Sequence, residues 1–273
     1  MNISEITCKS ILTPSKLPDA DYVINPYTGC QHGCVYCYAE FMRKYTNHEE
    51  AWGDFIDIKI NSAELVKCSK KYKGKRILIG SVTDAYTPIE NKYGITRSIL
   101  RKLLSFDAQI EILTKSKLVL RDIDLLKQFQ DVTVGFSIST TNKDYCNMLE
   151  PKATIGKFRI KALEKLHDAG IKTYLFVSPI FPEITDIDEL IGLASPYADY
   201  LMFENLNVRK NNRDSVFEFI KHVRPDLYDF YEEVFGGSKK PHTYWIELKQ
   251  SIEEKCKNQN IEARVYFQHI GIT

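Results

Sequence analysis

Hydrophobic and polar positions follow two different rhythms along most of this chain. From about residue 76, short runs rich in β-branched and aromatic residues are separated by longer segments in which apolar residues recur every three to four positions. The short runs predict buried strands, and the longer segments predict amphipathic helices. The predicted strands span residues 22–27, 76–82, 109–115, 132–140, 172–180 and 200–206.

The segments between these strands predict helices over residues 38–45, 62–72, 96–105, 118–129, 155–169 and 186–195. The helix over 155–169 ends cleanly before Gly170, because glycine adopts the left-handed conformation of a helix C-cap without steric cost. Strands joined by helices of this length pair in parallel through right-handed crossovers. The pattern therefore predicts an α/β fold, a partial (β/α)6 TIM-type barrel with functional loops at the carboxyl ends of its strands.

The rhythm changes after about residue 207. Helical segments punctuated by Pro225 and Gly236 follow, and a last short apolar run covers residues 263–268. We predict a core barrel over residues 1–206 and a mainly helical C-terminal extension over residues 207–273 that packs on it. The aromatic residues of the extension are expected to serve that packing.

Composition and charge exclude several classes of protein. Hydrophobic residues make up 44% of the 273 residues and charged residues 27%, which is ordinary for a globular protein. Lys and Arg number 37 against 36 Asp and Glu, so no overall field draws the chain to nucleic acid or to an anionic membrane. No run approaches the roughly 18 apolar residues that span a bilayer, and the polar first ten residues do not resemble a secretory signal. We expect a cytoplasmic protein with no membrane partner.

Three of the seven cysteines lie within eight residues, in the stretch NPYTGCQHGCVYCYAEF over residues 25–41. Cys30, Cys34 and Cys37 are spaced C-x3-C-x2-C, and Gly29 and Gly33 let the backbone fold tightly around a bulky inorganic core. Thiolates are soft ligands that suit iron-sulfur clusters or zinc. A 4Fe-4S cluster held by only three thiolates leaves one iron open to a ligand from a substrate or cofactor. The predicted cluster loop spans residues 28–38.

A zinc site is the competing interpretation of these cysteines. It would need His32 or a distant residue to complete a tetrahedron, and His32 is poorly placed inside the first interval. Zinc sites more often pair two C-x2-C motifs, and the remaining cysteines form no second motif. A non-enzymatic zinc or iron-sulfur interaction module therefore stays open beside the enzyme hypothesis.

The C-x3-C-x2-C spacing, with aromatic Tyr36 before the last cysteine, resembles the signature of radical S-adenosylmethionine (SAM) enzymes. The longer context resembles the branch that contains spore photoproduct lyase. Further matches follow in order: GSVTD at 80–84, LTK at 113–115, FSIST at 136–140, LEP at 149–151 and SPIFP at 178–182. The resemblance implies a cytosolic enzyme of lyase or oxidoreductase type that cleaves SAM reductively, with flavodoxin or ferredoxin as electron donor.

The resemblance also implies which residues contact SAM. Thr83 or Asp84 is expected near its amino group, Lys115 at its carboxylate, and Ser137 or Ser139 near the methionyl end. Tyr36 and Tyr38 flank Cys37, where the family often packs an aromatic ring on the adenine or the cluster. An ion pair between Glu150 and Arg159 is expected to steady this region.

The repair reaction of spore photoproduct lyase does not carry over as readily. That enzyme has a cysteine just after its second barrel strand, and the matching stretch here, GSVTD, has no thiol. Cys146 lies after the fourth strand and could approach the active site from another loop. An unpaired cysteine, however, is more often a small buried apolar residue than a radical relay. The basic run KCSKKYKGKR at 67–76 permits contact with nucleic acid but does not indicate it. DNA-lesion repair remains an alternative, and the substrate is open.

Overall fold

The computed structural model describes residues 1–236 and 243–267. Its strands are β1 (Asn2–Ile6), β2 (Leu12–Pro14), β3 (Tyr22–Ile24), β4 (Tyr27–Thr28), β5 (Phe55–Lys59), β6 (Arg76–Ile79), β7 (Gln109–Thr114), β8 (Val132–Ser137), β9 (Lys172–Ile180), β10 (Tyr200–Asn205) and β11 (Glu262–Tyr266). Its α-helices are α1 (Ser62–Leu65), α2 (Glu90–Tyr93), α3 (Ile95–Leu103), α4 (Ile123–Leu126), α5 (Lys143–Leu149), α6 (Gly156–Asp168), α7 (Ile187–Ala194), α8 (Arg213–Val223), α9 (Tyr228–Phe235) and α10 (Thr243–Asn258). Four 3-10 segments cover Tyr38–Tyr45, Lys70–Tyr72, Lys117–Asp122 and Pro225–Leu227.

The main sheet has eight strands in the order β11-β10-β9-β8-β7-β6-β3-β2. All neighbours pair in parallel except β2, which pairs antiparallel with β3. Within the described residues the sheet does not close, because β2 and β11 form its two edges. The predicted partial TIM-type barrel is thereby confirmed.

Alternation along the strands separates the two faces of this sheet. Ile110 and Ile112 of β7 are buried in the same core as Ile99 and Leu103 of α3. Glu111, between them, faces the other side, where the Tyr174 hydroxyl donates to its Oε1 at 2.5 Å. Opposite Tyr174, β8 carries Gly135, and a Cβ there would lie 2.1 Å from the Tyr174 ring. The inner face therefore accepts a large aromatic ring only because its neighbour has no side chain.

Two observed strands are shorter than the apolar runs that predicted them. The run over 76–82 stops as a strand at Ile79, and the backbone N–H groups of Ser81 and Val82 donate to Oδ1 of Asn25 at 2.9 and 3.1 Å. The run over 132–140 likewise ends as a strand at Ser137. After one further backbone hydrogen bond each, from Gly80 to Ile24 and from Ile138 to Phe176, these segments form loops at the carboxyl ends of the strands.

A small second sheet was not predicted. It has the order β1-β5-β4, with β1 parallel and β4 antiparallel to β5. The predicted helix over 62–72 is also interrupted, since only Ser62–Leu65 is α-helical and Lys70–Tyr72 is a 3-10 turn. The second sheet carries the segment that supports the cysteine loop.

Beyond residue 206 the chain continues to add to the barrel. Strand β11 pairs in parallel with β10, and Trp245, Ile252 and Cys256 of α10 are buried in the barrel core. The domain division at residue 206 stays a prediction, and Gln268, the end of the last predicted run, lies outside the described residues. None of the described helices combines the length and the apolar character needed to span a bilayer.

Candidate active site

The three clustered cysteines lie in a loop that leaves β4 and ends at the 3-10 segment Tyr38–Tyr45. Gly29 and Gly33 adopt positive φ angles of 85° and 61°. A Cβ at Gly29 would lie 2.6 Å from the Phe55 carbonyl oxygen, and a Cβ at Gly53 would lie 2.7 Å from Cα of Gly33. The loop therefore sits directly on the backbone of residues 53–55, and side chains at these glycines would push it away.

The three thiols are half-buried and influence one another. Burial raises the pKa of Cys30 to about 12, with further contributions from Asp84 and Cys37. Burial also raises the pKa of Cys34, to which Glu150, Cys37 and Cys30 add, while Lys115 acts in the opposite direction. Burial likewise raises the pKa of Cys37. Burial thus disfavours the thiolate form, and a positively charged iron core would supply the charge that stabilises thiolates.

Backbone amides offer donors to two of these sulfurs. The N–H groups of His32 and Asp84 lower the pKa of Cys30, and those of Ala39 and Glu40 lower that of Cys37, in each case against the larger effect of burial. Hydrogen bonds to sulfur are a recognised way of tuning iron-sulfur clusters. The donor set fits a cluster with three thiolate ligands.

Among the described residues, no three or more His, Cys, Asp and Glu side chains are arranged to hold a single metal ion. His32, the fourth ligand of the zinc interpretation, is buried, and its Nδ1 lies 3.4 Å from Oδ2 of Asp84. Burial lowers the pKa of His32, although Asp84 opposes this effect. One ring nitrogen of His32 is thus directed to a carboxylate at the end of the neighbouring strand.

Thr83 and Asp84, after β6, tie the cysteine loop to the barrel. Thr83 Oγ1 donates to the Gly29 carbonyl oxygen at 2.5 Å. The two oxygens of Asp84 accept from the backbone N–H of Tyr86 at 2.8 Å, Thr114 Oγ1 at 2.7 Å and the backbone N–H of Lys115 at 2.7 Å. The carboxylate is thus already engaged on several sides, which fits a positioning role as well as a cofactor contact.

Lys115, Ser137 and Ser139 lie together at the carboxyl ends of β7 and β8. Lys115 Nζ donates to Ser137 Oγ at 2.8 Å, and both serine hydroxyls donate to the Ser178 carbonyl oxygen, at 2.9 and 3.2 Å. The two serines therefore face the same side, as their spacing predicts. Lys115 Nζ also lies 5.8 Å from the centre of the Tyr36 ring.

Glu150 and Arg159 form a fully buried ion pair. Arg159 also donates through Nη1 to the Ser137 carbonyl oxygen at 2.7 Å. The Tyr36 hydroxyl donates to the other oxygen of Glu150. The pair thus links the cysteine loop to the end of β8, and the Tyr36 contact is one that the sequence pattern did not reveal.

Tyr38 and Cys146 have different surroundings. The Tyr38 side chain is 44% exposed, and its hydroxyl donates to the Ser81 carbonyl oxygen. Cys146 is buried on α5, where its Sγ lies 3.3 Å from the Thr140 carbonyl oxygen and 3.5 Å from the Gly156 nitrogen. The Tyr38 ring is therefore partly exposed next to Cys37, whereas the Cys146 thiol contacts backbone atoms.

Two further polar residues at the barrel mouth were missed in the sequence. Ser178 Oγ donates to Oε2 of Glu204, on β10, at 2.9 Å. Asn212, just before α8, is buried and donates to the Tyr36 carbonyl oxygen at 3.0 Å. Ser178 opens the SPIFP match at 178–182, but Glu204 and Asn212 belong to no recognisable motif, and only the folded chain brings them to the site.

Comparisons with known proteins agree with this architecture. Residues 24–194 match the sequence model described as the Radical SAM superfamily. An uncharacterized protein of Methanocaldococcus jannaschii is 39% identical over 255 residues, which cover 93% of this chain and 95% of that protein. A radical SAM Nalpha-GlyT isomerase of Pseudomonas phage M6 is 28% identical over 169 residues, covering 60% of this chain and 34% of that protein.

Among solved structures, the fold is similar to that of a spore photoproduct lyase variant with bound AdoMet and dinucleoside spore photoproduct. The TM-score is 0.71 at 19% sequence identity, and the match covers 97% of this chain and 82% of that one. At this identity the similarity establishes the fold.

Proposed function

Since the chain belongs to the radical SAM superfamily, we propose that Cys30, Cys34 and Cys37 hold a 4Fe-4S cluster whose fourth iron binds SAM. The observation that carries this proposal is that three half-buried cysteines share one loop at the carboxyl ends of the strands. When bound and reduced, the cluster supplies the electron that breaks the bond between sulfur and C5′ of SAM and so yields a 5′-deoxyadenosyl radical.

Lys115 is the residue we assign to the carboxylate of SAM. Its ammonium group lowers the pKa of both Cys34 and Cys37, although burial dominates at each thiol, so it lies within electrostatic reach of the cysteine loop. A lysine ammonium binds carboxylates as a compact point charge. Ser137, which accepts from it, would orient the ammonium, and Ser139 would serve the same methionyl end of the cofactor.

Thr83 and Asp84 would lie on the amino side of SAM. Their contacts with the Gly29 carbonyl oxygen and with the start of the β7 loop support a role in aligning the cluster loop with the cofactor. Tyr36 and Tyr38 would border the adenine or the cluster. The buried pair Glu150 and Arg159 would keep Tyr36 in place rather than act on the cofactor.

The substrate of the radical is not assigned. DNA-lesion repair is the second candidate, and it is supported by the fold similarity to spore photoproduct lyase. Against it, residues 80–84 carry no thiol, and the Cys146 thiol is directed to backbone atoms. We propose flavodoxin or ferredoxin as electron donor and the cytoplasm as location, in keeping with radical SAM chemistry.

The test is SAM cleavage by the anaerobically reconstituted protein. With dithionite and SAM, we expect release of 5′-deoxyadenosine, and Cys34→Ala should abolish it. The matched control is Cys68→Ala, which removes an exposed thiol outside the loop. A protein that binds zinc stoichiometrically and leaves SAM intact would contradict the proposal.

A further inference from the structure

The indole of Trp52 stands beside the cysteine loop without serving any role described so far. Its segment is pressed against that loop: Gly53 meets Gly33, and the Phe55 carbonyl oxygen and ring meet Gly29. The Trp52 ring packs edge-on against Phe55, with ring centres 5.7 Å apart at 84°. Phe55, which contacts the loop at Gly29, therefore also packs against the indole.

The polar atom of this indole is buried without a partner. Nε1 of Trp52 is shielded from solvent, and the described residues offer it no acceptor in full hydrogen-bond geometry. A buried N–H left unpaired destabilises the fold, so such groups are rare in native structures. Because tryptophan can only donate, the missing group must be an acceptor.

The cysteine loop, on which Gly53 and Phe55 pack directly, can supply such an acceptor. Burial raises the pKa of Cys37, and Trp52 acts in the opposite direction, as a donor near the sulfur would. Any such contact falls short of a complete hydrogen bond, because Nε1 has no partner among the described residues. A neutral thiol is a weak acceptor, whereas a cluster-bound thiolate carries the negative charge that strengthens such a bond.

We propose that Trp52 is a positioning residue whose indole N–H donates to the Cys37 thiolate of the assembled cluster and raises the cluster's reduction potential. The inference rests on the proposed cluster. Reduction adds negative charge to the cluster, so a donor on a ligand sulfur stabilises the reduced form more than the oxidised one. Removing the donor should make reduction harder.

The test uses the two tryptophans of the chain, Trp52 and Trp245. Trp245 is buried in α10 against Phe235 and Phe267 and provides the matched control. The protein is produced in cells supplied with tryptophan labelled with 15N in the indole ring and is then reconstituted. Pulsed EPR of the reduced cluster should show a coupling between its electron spin and an indole 15N nucleus. We expect Trp245→Phe to keep this coupling and Trp52→Phe to lose it.

Redox titration followed by EPR supplies the second readout. The midpoint potential of Trp52→Phe should shift to a more negative value, while that of Trp245→Phe should stay at the wild-type value. An intact wild-type cluster without 15N coupling, or equal potentials in the two variants, would overturn the inference. A wild-type protein that assembles no cluster would instead refute the proposed function, so the two failures are distinguishable.

Discussion

Glu150→Gln should destabilise the protein far more than a typical surface substitution. The change keeps the size and the hydrogen-bonding shape of the side chain but removes its charge. Arg159, which is 1% exposed, would then keep a buried charge with no carboxylate to balance it. Breaking a buried ion pair in this way costs about 3–5 kcal/mol, a large part of the roughly 5–15 kcal/mol by which domains are stable.

The assay is anaerobic urea unfolding of the reconstituted protein followed by far-UV circular dichroism. Thermal unfolding gives a second readout. For a domain of roughly this size, each kcal/mol of lost stability lowers the melting temperature by about 2–4 °C, so a loss of about 3–5 kcal/mol should lower it by about 6–20 °C. Glu218→Gln, an exposed position on α8, is the matched control and should cost less than about 0.5 kcal/mol. If the two variants unfold at the same urea concentration, the reasoning about the buried pair is refuted.

A double substitution and a pH series sharpen this result. Glu150→Gln combined with Arg159→Met should lose less stability than the two single losses added together, because no unpaired charge remains.

Burial opposes ionisation of Glu150, but Arg159 and Lys115 outweigh it and hold its pKa below the ordinary value. A depressed carboxyl pKa stabilises the fold above the unfolded-state pKa of about 4.3. The difference in the free energy of unfolding between wild type and Glu150→Gln should therefore narrow as the pH falls below about 4.

Three further outcomes follow from the same geometry. Lys115→Ala should weaken SAM binding about 10-fold to 150-fold with iron content unchanged, since hydrogen bonds to charged groups contribute about 1.5–3 kcal/mol; equilibrium dialysis checks this against Lys117→Ala, and equal affinities would remove Lys115 from the site. Gly53→Ala should lose iron on desalting, because its Cβ would lie 2.7 Å from Gly33, whereas Gly74→Ala, with no atom within 4 Å, should retain it; equal retention would contradict the close approach. Cys146→Ala should leave the rate of 5′-deoxyadenosine release unchanged, because that thiol is engaged by the backbone of Thr140 and Gly156, and a large fall in rate would point to a radical relay.

The barrel was predictable because its strands are locally encoded. The run over 172–180 becomes a strand over the same residues, since its β-branched and aromatic side chains are buried on both faces. The superfamily was predictable from the spacing of three cysteines, and the match over residues 24–194 confirms it. The candidate cofactor contacts remain predictions about role, although the structure gathers them at one end of the barrel.

What the sequence pattern missed depends on contacts between distant segments. The second sheet needs Asn2–Ile6 to pair with Phe55–Lys59, and neither strand is long enough to be conspicuous alone. Tyr36 meets Glu150 across 114 positions of sequence. Trp52 precedes a glycine in an unremarkable loop, and only the close approach of Gly53 to Gly33 places its segment at the cysteine loop. Such pairings follow from the folded topology rather than from periodicity.

Mössbauer spectroscopy of protein reconstituted with 57Fe tests the central claim most directly. The account predicts about four irons and four sulfides per chain, as expected for one 4Fe-4S cluster, and one iron whose spectrum changes alone when SAM is added. Alanine at Cys30, Cys34 or Cys37 should abolish the signal. A cluster whose four irons stay equivalent in the presence of SAM, or a site filled by one zinc ion, would contradict the claim that three thiolates leave one iron open.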